Sequence, residues 1–180
     1  MNKTLRSIIW LVAVITLSAI ALTMIDRFQG EENVPAEQDP ARRASVLLVV
    51  YAGEEVPGGR DPAEFQKVGC EDLLVPYEID VSSTRLKSVL HALSEFEPPE
   101  GYHNPLKEKG IRVVDVADRG HSTVIVELTG TPQFGGVCDT PRFQEQIRQT
   151  VKLYHEEFEI RLNGSESAFR CLSDMSGECK

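Results

Sequence analysis

The sequence predicts one α+β domain, a mostly antiparallel sheet with two amphipathic helices on one face, in the order β-β-α-β-β-α-β. Three observations predict it. Short β-rich runs recur at residues 46–51, 73–81, 111–116, 123–128 and 157–162. Two longer stretches, 83–96 and from 140 onward, place apolar residues at helical spacing. The chain has 180 residues, 41% hydrophobic and 26% charged, which is ordinary globular composition.

The elements follow in order. Residues 8–25 (IIWLVAVITLSAIALTMI) carry no charge. As a helix they would be about 27 Å long, close to the hydrocarbon thickness of a bilayer. Lys3 and Arg6 precede them; Asp26, Glu31 and Glu32 follow, beside a single Arg27. The charge asymmetry places the N-terminus in the cytoplasm and the rest outside, as a single-pass protein of the cell membrane. A cleaved signal peptide is the alternative, because Ala19-Ile20-Ala21 fits a cleavage site. Residues 1–29 are therefore expected as the membrane anchor or uncleaved signal. Residues 30–44, proline-containing and charged, are expected as a flexible linker. About 140 residues remain, enough for one domain with a core and too few for two.

Within that domain, taken as residues 45–165, VLLVVY at 46–51 reads as a buried strand. LLVPYEIDV at 73–81 is strand-like, and its Pro76 points to a sheet edge or a bulge. In the first helix Leu86, Val89, Leu90, Leu93 and Phe96 share one face, Ser82 or Ser83 is placed to cap it, and Pro98-Pro99 ends it. The runs 111–116 and 123–128 form a hairpin around Asp118-Arg119-Gly120-His121. Thr140 is placed to cap the second helix, with Pro141 at its first position. Phe143, Ile147, Val151 and Tyr154 make its apolar stripe; Gln144, Glu145, Arg148, Gln149 and Lys152 make the opposite face. In the last strand Phe158, Ile160 and Leu162 point one way, before a turn at Asn163-Gly164. Residues 166–180 read as a disulfide-closed C-terminal tail.

Four cysteines, Cys70, Cys138, Cys171 and Cys179, in an exported chain predict disulfides. Three pairings are open, and spacing favours Cys70–Cys138 with Cys171–Cys179. Zinc is the alternative, although no C-x-x-C or H-x-x-x-H spacing occurs.

The net charge is −9, from 19 Lys+Arg against 28 Asp+Glu. Without Lys3 and Arg6 it is 17 against 28, or −11. That balance argues against nucleic acid and anionic lipid surfaces as partners, since both would repel it. Catalytic motifs are not evident. Ser122, His121 and Asp118 lie too close in one turn to form a triad, and neither a G-x-S-x-G elbow nor a phosphate-binding glycine loop is present. His91, His103, His121 and His155 are scattered, Glu54-Glu55 and Glu156-Glu157 read as exposed pairs, and Asn163-Gly164-Ser165 matches a glycosylation sequon. Gly135-Gly136-Val137-Cys138 has the look of a reactive-cysteine loop, but reads first as part of a structural disulfide. No catalytic residue, cofactor or metal ligand is assigned.

Several stretches resemble the GerMN domain of sporulation and spore-germination proteins. The helix TRLKSVLHALSEF at 84–96 resembles the family's T-x-x-L/V-x-x-x-L-x-x-L, with Glu97-Pro98 where Gly-Pro is usual. Gly101-Tyr102 and the hairpin from Gly110 to Leu128 correspond to its Gly-aromatic stretch. Gly135-Gly136-Val137-Cys138 and FQEQIRQTV at 143–151 resemble its helix ending in Q-I-x-x-T-L, and FEIRLNG at 158–164 its closing strand and turn. Together they cover residues 46–165. The resemblance implies a fold similar to ring-building modules and supports the Cys70–Cys138 pairing. It also implies a non-catalytic, membrane-anchored binding or assembly module of the cell envelope, with peptidoglycan or an envelope protein as partner and homo-oligomerisation as a further reading. Arg148 and Lys152 are the candidate contact face. The alternative is a cell-envelope hydrolase or small-ligand sensor, which a pocket grouping His103 or His121 with two carboxylates would favour.

Overall fold

The computed structural model describes residues 42–118 and 123–173. No helix among them is long and apolar enough to cross a membrane. The expected anchor at residues 1–29 lies outside the described residues, as do His121, Ser122 and Cys179.

The chain is α+β, with its strands divided between two three-stranded sheets. In the first, β1 (Arg42–Val50) and β2 (Gln66–Val68) flank β3 (Asp72–Val81), and both pairings are antiparallel. In the second, β5 (Val124–Thr129) lies between β4 (Arg112–Asp118), antiparallel to it, and β6 (Phe158–Leu162), parallel to it. The expected single sheet is thus corrected to two, although antiparallel pairing still dominates. Among the described residues four α-helices accompany them: α1 (Leu86–Glu95), the one-turn α2 (Pro105–Glu108), α3 (Asp139–Lys152) and α4 (Glu166–Arg170).

One main apolar cluster takes side chains from both sheets. The α1 stripe (Leu86, Val89, Leu90, Leu93) and the α3 stripe (Phe143, Ile147, Val151) enter it. Complete burial of a side chain such as Phe143 contributes about 1.5–3 kcal/mol from transfer alone. Phe169 of α4 enters the same cluster and packs on Phe143, so the stretch expected as a tail opens with a helix seated in the core. Likewise β1 begins at Arg42, inside the stretch expected as linker, and Ala44 is already buried.

Helix starts differ from expectation. Ser83 Oγ accepts from Arg85 N–H in a local turn, and α1 begins only at Leu86 without a side-chain cap. For α3 the N-cap is Cys138, and Thr140 is buried within the first turn. Cys138, joined to Cys70, makes no side-chain cap bond.

Polar side chains of α3, and of Tyr154 in the turn just after it, seal the open edge of β1. The outward backbone groups of β1 belong to Ser45, Leu47 and Val49. Tyr154 Oη donates to Ser45 C=O at 2.8 Å, and Thr150 Oγ1 accepts from Leu47 N–H at 3.1 Å. Gln146 Nε2 donates to Leu47 C=O at 3.0 Å, and Val49 exchanges both backbone bonds with His103. Gln146, Thr150 and Tyr154 recur at i, i+4, i+8, so one helical stripe meets one strand edge. Gln146 goes further: Oε1 accepts from Leu106 N–H at 2.9 Å and Nε2 donates to Asn104 Oδ1 at 3.1 Å. Asn104 in turn donates to Leu93 C=O and Phe96 C=O, closing the end of α1. Gln144, expected on the solvent face, is buried with Nε2 donating to Phe169 C=O. Each of these buried polar groups has a partner, which offsets the cost of desolvating it.

Pro76 has a local explanation. The register pairs Val46 with Tyr77 and Leu48 with Val75, so odd positions of β3 bond β1. Even positions face β2, which stops at the Gln66–Leu74 pair. Pro76 is the next even position, where no β2 acceptor waits for an N–H. β3 is therefore the central strand, with a short open edge that begins at its proline.

The β2–β3 connection is a tight turn closed by Asp72 N–H to Gly69 C=O at 3.2 Å. Its two central residues, Cys70 (φ 53°) and Glu71 (φ 68°), are both left-handed. Turns of this mirror-image type favour Asn-Gly, and neither Cys nor Glu prefers that backbone.

Candidate functional site

A charge cluster gathers where β1 ends and α3 begins. Tyr51 directly follows β1. The His103 ring stacks on it at 3.6 Å and 8°, held there by the Val49–His103 backbone pair. The Arg142 guanidinium lies over the Tyr51 ring at 4.1 Å. Two groups that close cannot share one side, so Tyr51 is sandwiched between them.

Arg142 is placed by what surrounds it. Cys138, one turn earlier, is bonded to Cys70 with the Cα atoms 5.6 Å apart. Asp72, fully buried just after Cys70, accepts from Arg142 Nε and from Ala52 N–H. Asp139 accepts from Arg142 Nη1 at 3.3 Å, Lys109 Nζ at 2.6 Å and Gly135 N–H at 2.7 Å. The chain Asp72–Arg142–Asp139–Lys109 thus ties the β2–β3 turn, α3 and the end of α2 together.

Electrostatics fit a brace. Burial works against the Asp139 carboxylate, but the bonds from Lys109 and Gly135 outweigh it and hold its pKa below the usual carboxylate value. The bond to Asp72 raises Arg142 above an ordinary guanidinium despite burial. Burial, reinforced by Glu108, pushes the Tyr51 phenol up to about 12. It therefore stays protonated under ordinary conditions and is no proton acceptor.

His103 stands between two carboxylates. Nε2 is 3.4 Å from Glu54 and Nδ1 is 3.6 Å from Glu108. A cavity of about 420 Å³ lies alongside, lined by Tyr51, Glu54, Glu55, Lys67 and Glu71 among others; His103 is not part of its lining. His91 lines another cavity with Asp80, Lys87 and Glu95, of which His103 is not part, and His121 lies outside the described residues.

Arg148 and Lys152 face different surroundings. Arg148 pairs with Glu145 at 3.3 Å and lies over the Phe169 ring. Lys152 is exposed at the rim of a groove of about 430 Å³ floored by Leu47, Leu74 and Pro76, with Phe65 and Leu153 at its sides. Leu153 is 52% exposed.

Cys171 is disulfide-bonded; the Cys179 half of its expected pairing lies outside the described residues. With Cys70 and Cys138 joined to each other, neither thiolate is available to zinc. Among the described residues no group of three or more His, Cys, Asp or Glu is arranged to hold a metal. The sequon asparagine is structural: Asn163 Nδ2 donates to Gly130 C=O at 2.9 Å, and Oδ1 accepts from Gly130 N–H at 3.1 Å.

Sequence reasoning passed over Asp72, Asn104, Arg142, Gln146 and Thr150. For Gln146 and Thr150 a signal existed, since they flank the apolar stripe on the same side of the helix. Fold and site together define an α+β domain whose charge cluster is a cross-element brace beside a disulfide. Comparison of the chain with protein-family models, curated proteins and solved structures finds no match.

Proposed function

We propose that the chain is a non-catalytic, GerMN-like binding or assembly module, held at the outer side of the cell membrane by residues 1–29, with peptidoglycan or an envelope protein as its partner. One observation carries this reading. The charged groups of the main cluster are consumed by one another: Asp72 and Asp139 both hold Arg142, and Asp139 also holds Lys109. A reaction centre needs a group poised toward a substrate, whereas this arrangement fixes elements to each other. The resemblance at residues 84–96 and 135–164 supports the family reading, and the apolar run at 8–25 supports the anchor.

Contacts would be made on the open groove rim at Lys152 and Leu153. The test is co-sedimentation with purified peptidoglycan, beside a non-binding protein of similar charge. The reading expects the chain to pellet above that control and Lys152→Glu with Leu153→Ser to bring it down to the control level. A wild-type chain that stays in the supernatant removes the wall as ligand and leaves the protein partner.

A second reading, a cell-envelope hydrolase or small-ligand sensor, calls for a pocket grouping a histidine with two carboxylates; His103 stands between Glu54 and Glu108, but outside the lining of the cavity beside Tyr51. His103→Gln separates the two: a loss of ligand turnover with wall binding intact supports the hydrolase.

A further inference from the structure

We propose that the Cys70–Cys138 disulfide is a thiol-exchangeable latch, whose reduction removes the covalent tie between the β2–β3 turn and α3, leaves the Asp72–Arg142 ion pair as the tie between them, and loosens one wall of the cavity beside Tyr51. Three features carry this. Cys70 is exposed, so an attacking thiolate can reach its sulfur. The bond also restrains a turn in which Cys70 and Glu71 both hold a left-handed backbone that non-glycine residues resist. Opening the bond lets that turn relax, which favours the reduced state. Finally, Glu71 at the centre of the turn and Lys67 in β2 line the cavity together with Tyr51 and Glu54. A turn that has lost its covalent tie to α3 therefore changes the shape of that cavity.

The exchange balances with a dithiol as co-reactant. Its first thiolate attacks Cys70 Sγ, forming a mixed disulfide and breaking the bond to Cys138 Sγ. The Cys138 sulfur leaves with the electron pair and takes a proton from solvent. It leaves at the N-cap of α3, a 14-residue helix, where the aligned N–H groups favour an anion. The second thiolate then attacks the dithiol's own sulfur in the mixed disulfide and releases Cys70. Two electrons have passed to the protein, and the dithiol has become a cyclic disulfide.

The test equilibrates the full chain in detergent micelles against reduced and oxidised dithiothreitol. Alkylation and peptide mass spectrometry read the Cys70–Cys138 state, and hydrogen exchange reads the fold. The bond is expected to open while the β5 and α3 amides remain protected. Glu71→Gly removes the backbone strain at that position, so its midpoint should require about fivefold more reduced over oxidised reagent, or greater. Opening only in step with loss of core protection would overturn the proposal. So would a midpoint that Glu71→Gly leaves unchanged.

Discussion

Gln146→Leu should destabilise the domain by about 3–6 kcal/mol, an effect larger than most single substitutions produce. The volume of the side chain is nearly kept, so cavity formation is not the cause. What is lost is the partner of three groups at once: Leu47 C=O, Leu106 N–H and Asn104 Oδ1. Each becomes a buried polar group without a hydrogen bond, at about 1–3 kcal/mol apiece. Asn104 then holds the end of α1 less firmly, so the loss spreads from α3 to a second helix. Urea unfolding of Gln146→Leu and of Gln149→Ala measures this. The second variant, on the partly exposed side of α3, should stay within about 0.5 kcal/mol of wild type.

Arg142→Ala should cost about 3–5 kcal/mol by leaving the Asp72 carboxylate buried without its cation. Asp72 is fully buried, and after the substitution its remaining bond is the one from Ala52 N–H. Removing both charges is milder than removing one, since the penalty belongs to the unpaired ion. The pair Asp72→Asn with Arg142→Ala should therefore recover at least half of the loss. A double-mutant cycle by urea unfolding reads this directly. Loss of the Arg142 cover on Tyr51 adds a smaller term shared by both variants.

The core of the fold was legible because local patterns report local choices. The stripes Leu86/Val89/Leu90/Leu93 and Phe143/Ile147/Val151 are buried as their spacing requires. Alternation also placed β5 and β6, whose Val126, Leu128, Ile160 and Leu162 are in the core. The division into two sheets was not legible, because it depends on what lies beside β1. There an amide and a hydroxyl on α3, with a phenol just after it, take the place of a further strand. Such a ladder looks polar in the sequence, and polarity on a helix is read as solvent. The β2–β3 turn was hidden for a different reason: Cys70-Glu71 is a poor turn pair, held by a bond to a residue 68 positions away.

The site was less legible than the fold. His103 and Glu108 are close in sequence, and the one-turn α2 between Pro105 and Glu108 brings them together. Glu54 reaches the same imidazole only through the backbone pairing of Val49 with His103. Likewise Asp72 meets Arg142 across 70 positions. Ion pairs of that range follow from tertiary packing alone. By contrast, the net charge of −9 and the cysteine count were read from composition without any structure.

The proposed export underlies the proposed anchor and partner, and protease shaving tests it most directly. Cells expressing the full chain are converted to spheroplasts and treated with a protease that cannot enter, with a cytoplasmic protein as the integrity control. The account predicts that residues beyond the anchor are digested while the cytoplasmic control survives. Full protection of the domain in intact spheroplasts, with digestion only after lysis, would place it in the cytoplasm and contradict the account.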